Sequence, residues 1–440
     1  MRNIFKFSIF AIALCVPCAF LSAQNNTSSP YSGYGIGEYA SKSFGQHQAM
    51  GGSVIGMRDP YHINITNPAS YSAFLKQSFL FEFGLRNKLS HFSTAEDNHY
   101  FNDINIHYIS FGFPLTHWWS ASMGLNPFSD IGYNINTPDS TEALGKYEKN
   151  YFGKGGINQA FIGTSLQFFN RLSLGINFCY LYGNFYKVNT LRFLDEGTTT
   201  YSYQKQTRTK VGDIYCNFGL QYHDTLLLKE KKYLYTAGAV FDNKSEIDVE
   251  NSFIAATMAS NYTNLEILNG KYIVDTIQPY ENQNGTLELP TNFGIGFSFG
   301  IPDKFTIAGD FYTRNWKSVT VDSMSNSTRI SIGAEYVPDI KSGASYYRKQ
   351  IHYRLGGHFS KTGLVINNTQ INDFGISFGV GLPVKQKIYG RMNARSSMNL
   401  TVEAGSFGTT DNNLINEKYF IVTLNLTLFD NNWFIKRKFD

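Results

Sequence analysis

The chain has 440 residues, with 38 Lys and Arg against 34 Asp and Glu, and its formal net charge of +4 makes no case for a nucleic-acid partner. Only 16% of its residues are charged, while 37 Phe, 29 Tyr and 39 Gly give it an aromatic and glycine-rich character. Beyond Cys15 and Cys18 it keeps Cys179 and Cys216, which excludes a disulfide scaffold and leaves one bridge open.

The first residues supply Arg2 and Lys6, an apolar run from Phe7 to Leu21 and the small pair Ser22-Ala23. This is the pattern of a secretory signal peptide over residues 1–23, with an uncleaved anchor helix as the alternative. Cys15 and Cys18 fall inside the apolar run and are read as accidental, and no cysteine follows the cut to direct lipoprotein processing. Residues 24–76 are nearly uncharged and contain "AMGGSVIGMRDPYHINITNPASYS", glycines followed by Asn67-Pro68-Ala69. Proline has no amide donor and biases the residue before it away from the helical region, so a regular strand or helix is not expected here. A long, irregular, weakly charged segment finds polar partners best inside a barrel lumen, which predicts a plug over residues 24–76.

From residue 77 to 429 the sequence alternates with period two. Phe79, Phe81, Phe83 and Leu85 alternate with Glu82, Gly84 and Arg86; Phe293, Ile295, Phe297 and Phe299 alternate with Gly294, Gly296 and Ser298. Phe374, Ile376, Phe378 and Val380, then Phe420, Val422, Leu424 and Leu426, repeat the pattern. Runs of this kind begin near Gln77, Asp103, His117, Ile157, Leu172, Lys210 and Lys231, and again near Thr291, Lys304, Ser327, Ile351, Ile371, Ser397 and Lys418. The second switches its apolar face near Tyr108, which predicts a bulge. Short connections ("PLTH", "FNR", "IPDK") alternate with long polar segments at 138–155, 188–209 and 242–289, which are expected to be loops. The chain therefore reads as all-β, a 14-stranded antiparallel transmembrane β-barrel over residues 77–429 with the plug in its lumen. The even strand number puts both termini in the periplasm, with residues 430–440 as a periplasmic tail, in the outer membrane of a Gram-negative cell. A secreted β-sandwich is the alternative; there is no fixed-period repeat.

Motifs for chemistry are weak. Gly296-Phe297-Ser298-Phe299-Gly300 and Gly375-Ile376-Ser377-Phe378-Gly379 match a nucleophile elbow but lie in mid-strand, and no Ser-His pair can be placed together. The "GYGIG" of Gly33 to Gly37 has neither the strand nor the helix of a nucleotide loop. The histidines lack metal-ligand spacing. No catalytic residue, metal or cofactor is therefore expected. Glu82, Arg86, Asp310, Arg329, Glu335, Arg354 and Glu403 share the polar parity of their strands and should line the lumen, because charge is costly on the lipid face. Arg86, Arg329 and Arg354 are the ligand candidates if the ligand is an acid, with a paired structural network as the alternative, and His358 is a further candidate contact whose alternative is a lumen-lining polar row. Phe253, Ile254, Tyr262, Leu265, Ile267 and Leu268 in the last long segment form either an apolar catch site or a small loop core.

"QAMGGSVIGMRDP…NPAS", "LPTNFGIGFSFGIPDKFTIAGDFYTRNW", "RISIGAEYVPD", "HYRLGGHFS" and the ending "NNWFIKRKFD" follow one another in an order that resembles the FadL/TodX family of outer-membrane transport proteins. The resemblance covers most of the mature sequence. It implies fourteen strands, a lumenal hatch in which Asn67, Pro68 and Ala69 match the gating motif, and passive diffusion of a hydrophobic compound such as a long-chain fatty acid or aromatic hydrocarbon. Ser70 stands where many members have glycine. Expected partners are outer-membrane lipid and a hydrophobic small molecule. The alternative is a docking barrel for secreted or surface proteins, as in secretion-system shuttle barrels, with a protein partner on the outer loops.

Overall fold

The computed structural model describes residues 27–94, 97–142, 145–194, 201–243, 245–258, 273–316, 324–340, 342, 344–388 and 391–431. The expected signal peptide, most of the C-terminal tail, and Tyr262, Leu265, Ile267 and Leu268 lie outside the described residues.

The alternating runs pair into a single antiparallel sheet that closes on itself. Its strands are β1 Phe79–Ser93, β2 Asn98–Pro114, β3 Trp119–Thr141, β4 Gly145–Phe168 and β5 Leu172–Phe193. They continue with β6 Ser202–Leu228, and with β7 in two pieces, Lys231–Asp242 and Ser245–Met258, both laddered to β6. β8 is likewise Ile273–Leu289 and Thr291–Ile301, both laddered to β7 and interrupted at Pro290, which has no N–H to give. Next come β9 Phe305–Asn315, β10 Ser327–Tyr336, β11 His352–Ile366, β12 Thr369–Ile388, β13 Arg391–Gly408 and β14 Asn416–Asp430. The wall closes where β14 pairs with β1, from Asp430 opposite Phe79 to Asn416 opposite Ser93. This is the 14-stranded barrel the alternation predicts.

Apolar parity faces lipid. Ile295, Phe297, Ile332, Ile376 and Phe378 are exposed on the outside, and Trp118, Trp119, Phe168, Tyr222 and Tyr336 sit toward the short-connection end, where an interfacial aromatic belt belongs. Short connections are tight: Phe169-Asn170 and Lys229-Glu230 carry positive φ at both residues, as two-residue hairpin turns require. Phe297→Arg is expected to destabilise the folded barrel by about 2–4 kcal/mol, the cost of a midplane arginine on the lipid face. The check is the fraction of unheated protein that migrates as compact barrel on a gel. Ser298 does not offer the tolerant comparison its parity suggests. Its hydroxyl donates to the Gly56 carbonyl at 2.7 Å, so an arginine there collides with the N-terminal segment.

In their described parts the three expected long loops are not loops. Residues 138–141, 145–155, 188–193, 202–209 and most of 242–258 and 273–289 are paired strand, with ladders reaching Thr141–Gly145, Leu191–Tyr203 and Met258–Ile273. About 9–11 residues cross a bilayer, and β9 and β10, with 11 and 10, are just long enough. β3 to β6 hold 23, 24, 22 and 27 residues and run well past that band. Strand outside lipid need not alternate, so its composition reads as loop.

Three breaks fall in one row where these strands leave the band: a bulge at Phe128 beside Pro127 on β3, Gly155 at φ +114° on β4, and Gly183 at φ +148° on β5. Ile131 pairs with Gly155, and Ile157 with Gly183, so the breaks adjoin. A Cβ at Gly155 would stand 2.3 Å from the Asn184 carbonyl oxygen; only glycine makes that bend. Beyond it Ile131, Phe185, Val211, Ile247 and Leu289, from β3, β5, β6, β7 and β8, join one buried apolar cluster.

Candidate functional site

The described part, residues 27–76, of the segment expected as a plug over 24–76 packs against the inward face of the wall. Glycines on that face give it room: a Cβ at Gly356 would meet the Met50 carbonyl carbon at 2.1 Å, and one at Gly238 the Ile55 oxygen at 2.2 Å. Its own Gly51 and Gly52 have positive φ and are packed, so they are fixed corners rather than flexible joints.

The Asn67-Pro68-Ala69 motif is the lower anchor. Pro68 opens a short 3-10 helix, Pro68–Ala73, at a position where its missing N–H costs nothing. Asn67 is fully buried. Its side-chain oxygen caps that turn by accepting from Ala69 N, and its amide donates to Ile55 O at 2.8 Å and to Leu220 O on β6 at 3.2 Å. Ala69 O accepts from Ser165 Oγ on β4 at 2.9 Å, and Ser70 Oγ donates to Asn67 O at 2.8 Å.

Higher up, the segment is tied to wall charges. The Asp310 carboxylate on β9 accepts from the Val54 and Ile55 amides at 2.6 and 2.9 Å. Arg354 on β11, 2% exposed, donates to Glu335 at 2.5 Å, Asn399 at 2.7 Å and Gln46 of the segment at 2.9 Å. Gln46 passes the connection on to Asp59, which His62 also contacts. Arg354 is thus a member of a paired network and is not among the residues that line the cavity behind residues 32–40.

The upper part of the segment, residues 32–40, has a different neighbour. The β2–β3 ladder runs only from Pro114–Ser120 to Ile109–Leu125. Above it the two strands part, where His107 is the extra residue in β2, the bulge foreseen near Tyr108, and Pro127-Phe128 bends β3. The freed edge of β3 pairs instead with the segment: Glu38 opposite Asp130, Tyr39 opposite Ser129, Ala40 N to Phe128 O at 3.1 Å, and Ser32 Oγ with both Gly132 N and Gly132 O. Lys88 pins this seal from β1, contacting Glu38 at 3.1 Å and Glu417 at 2.8 Å. Burial alone would raise the Glu38 carboxyl, but the Lys88 and Arg86 charges outweigh it and hold that carboxyl below the ordinary carboxylate range. On the outside of the parting, Tyr100, Ile104 and Ile106 of β2 and Met123 and Leu125 of β3 are exposed. Sequence reading passed over Pro127, although a proline in mid-strand is the mark of an edge.

Behind the seal lies a cavity of about 330 Å³. Of the four ligand candidates, Arg86, Arg329 and His358 line it. Arg329 reaches Gly51 O at 3.3 Å and Asp373 at 3.7 Å; His358 contacts Asp373 at 3.0 Å. Lys42, Lys88, Arg314, Tyr39 and Trp316 were not foreseen as its lining. Cys179 pairs opposite Tyr215, and Cys216 opposite Phe178, so the two cysteines are on different faces of the sheet and both are free. Among the described residues no group of His, Cys, Asp and Glu could hold a metal.

The BamG family model matches residues 4–440. The chain belongs to the BamG family. No curated protein sequence matches it. Among solved structures, this BamG-family chain is similar in fold to the toluene transporter TbuX of Ralstonia pickettii, with 12% identity over 88% of this chain and 98% of that one and a TM-score of 0.57. It is also similar to a FadL homologue of Pseudomonas aeruginosa (9% identity, 91% and 99% covered, TM-score 0.57) and to the toluene transporter TodX of Pseudomonas putida (13%, 90% and 100%, 0.53). At these identities the likeness is one of fold, and the FadL/TodX resemblance in the sequence stands as that. The BamG-family chain is a bacterial outer-membrane β-barrel.

Proposed function

We propose that the barrel is a passive transporter for a hydrophobic compound, such as a long-chain fatty acid or an aromatic hydrocarbon, gated by the N-terminal segment. The observation that carries this reading is the parting of β2 from β3, rimmed outside by exposed apolar residues and covered inside by residues 32–40. A lipophile captured from outside would leave sideways into lipid once that seal moves, without crossing the packed lower lumen. Similar folds described as a toluene transporter and a monoaromatic hydrocarbon channel support the substrate class. No energy source is required, since a substrate that favours the open seal shifts the equilibrium by its own differential affinity.

The test is a tether. Glu38 and Asp130 face each other across the ladder, so Glu38→Cys with Asp130→Cys ties the seal to the wall on oxidation. Uptake of a hydrophobic dye into proteoliposomes is expected to fall at least tenfold when the tether forms and to recover with reductant. Equal uptake in both states would sink the gate.

A second reading has its own observation. The wall beyond the membrane band is a sheet of six strands, β3 to β8, a stiff surface suited to docking a secreted or surface protein. If the tether changes nothing and the protein drawn from native outer membranes in mild detergent carries a stoichiometric protein partner and no lipophile, this reading replaces the first.

A further inference from the structure

At the short-connection end the β12–β13 hairpin runs past the strands on either side of it. β11 begins at His352, beside Gly381 of β12, and the β13–β14 ladder ends at Ser397 opposite Thr427. Past those points β12 and β13 continue together, from Pro383 opposite Ser397 to Ile388 opposite Arg391. At a rise of about 3.3 Å per residue, Gly381 to Ile388 is roughly 23 Å of strand. A headgroup layer is about 5–8 Å deep, so the arms clear it even at the ~40° tilt of a barrel strand. Among the described residues the arms pair with each other and with no third strand. A two-stranded ribbon is marginally stable in water, and its free edges present backbone N–H and C=O groups to any extended chain that fits.

Composition selects the chain. Lys385 and Lys387 stand on one arm, Arg391 and Arg395 on the other, and no Asp or Glu occurs between Asp373 and Glu403. Beside the β12 arm lies the 3-10 turn Ala344–Gln350 of the β10–β11 connection, held there by Tyr347, whose hydroxyl donates to Pro383 O at 3.0 Å. Arg348 and Lys349 on that turn are exposed, and Lys349 lies over the exposed Tyr346 ring at 4.8 Å. Asp339 is the acid of this connection. Basic residues along a free edge turn away neutral and basic strands and draw an acidic one. The β6–β7 hairpin, which also passes its neighbour β5, has a different tip: Leu226, Leu227 and Leu228 are exposed there, a composition suited to lipid.

We propose that the β12 arm is a docking edge for an acidic, extended segment of a periplasmic protein, which adds to the sheet as a strand along residues 384–388. The short connections face the periplasm in the orientation read from the even strand number. Backbone hydrogen bonds supply the affinity, and the surrounding positive charge supplies the choice of partner. The inference does not rest on the wall path, and either can fail alone.

The probe is a short fluorescent peptide of alternating Glu and Thr, added to the full mature chain in zwitterionic detergent and read by anisotropy. Saturable binding that weakens with salt is expected. A peptide of alternating Lys and Thr should bind at least tenfold more weakly. So should one of alternating Glu and Pro, which has the same charge but lacks half the N–H groups. Lys385→Glu with Lys387→Glu should cost tenfold or more in affinity, and Arg348→Glu with Lys349→Glu a smaller factor, both leaving uptake of a hydrophobic dye unchanged. Compact migration on an unheated gel confirms that each variant is folded; if one is not, the ranking of the three peptides on the unaltered chain decides alone. Equal binding of the Glu-Pro peptide would leave a patch of charge and no added strand, and would overturn the proposal. Displacement of the peptide by phosphatidylglycerol vesicles or by isolated peptidoglycan would overturn it too, assigning the surface to lipid or to the wall polymer. An absence of saturable binding would do the same, with the lysines then serving only to keep the edge unpaired.

Discussion

Arg354→Leu is expected to destabilise the barrel by about 3–5 kcal/mol, the cost of removing one member of a buried ion pair and leaving the other. Three partners lose their donor together: the Glu335 carboxylate, Asn399 Oδ1 and Gln46 Oε1. Among the described residues Glu335 then retains His352 at 3.3 Å. The loss is felt in the wall, between β10, β11 and β13, and also in the segment through Gln46 and Asp59. Arg354→Lys keeps the charge but not the fork, so it should recover only part of the loss. Midpoints of urea unfolding in lipid vesicles measure the effect. A double-mutant cycle with Glu335→Gln separates the pair from the rest, and its coupling should exceed about 1 kcal/mol for contacting residues. A change under about 1 kcal/mol for Arg354→Leu would mean that the network is solvated and does not hold the segment.

Strand number and facing were legible in the sequence because both follow from a single constraint. Where lipid is on one side, apolar and polar residues must alternate, and Phe293 to Phe299 or Phe420 to Leu428 show it. The constraint lapses outside lipid, which is why 138–141, 145–155, 188–193 and 202–209 read as loops while being strands. Parity also gives a face but no neighbours. Arg354 and His358 share one face of β11, yet Arg354 joins the network around Gln46 whereas His358 lines the cavity beside Asp373. Which of them meets the segment depends on where residues 27–76 cross the lumen, and irregular backbone carries no periodic signal. Two local signals did survive: the face switch at Tyr108 marks the bulge on β2, and Pro127 marks the opposite edge of the parting.

The segment's two halves are held unequally, and this sets the second large effect. Below, Asn67, Arg58, Tyr71 and Ser72 reach β5 and β6, Ala69 O accepts from Ser165 of β4, and Asp310 and Arg354 grip residues 46–55, mostly through buried or charged contacts. Above, residues 32–40 rest on a two-residue ladder extended by Ala40 N to Phe128 O, the Ser32–Gly132 pair, the Glu38–Lys88 contact and Lys187 of β5, which donates to the Gly33 and Gly35 carbonyls at 2.9 and 3.0 Å. At roughly 0.5–1.5 kcal/mol for each net hydrogen bond, the seal is the part that thermal motion releases first. Deleting residues 27–40 is therefore expected to leave a compact, heat-modifiable barrel, because closure through β14 and β1 and the lower anchors do not use them. Leakage of a small hydrophobic dye should rise by an order of magnitude or more as the β2–β3 parting loses its cover. Asn67→Ala should do the reverse, lowering stability by about 1–3 kcal/mol through the lost cap on Ala69 N and the lost donor to the Leu220 and Ile55 carbonyls, of which Ile55 O keeps Gln221 Nε2, while changing leakage little. Were the shortened chain as tight as the full one, the parting would be closed by the wall itself, and the N-terminal segment would be a fixed plug.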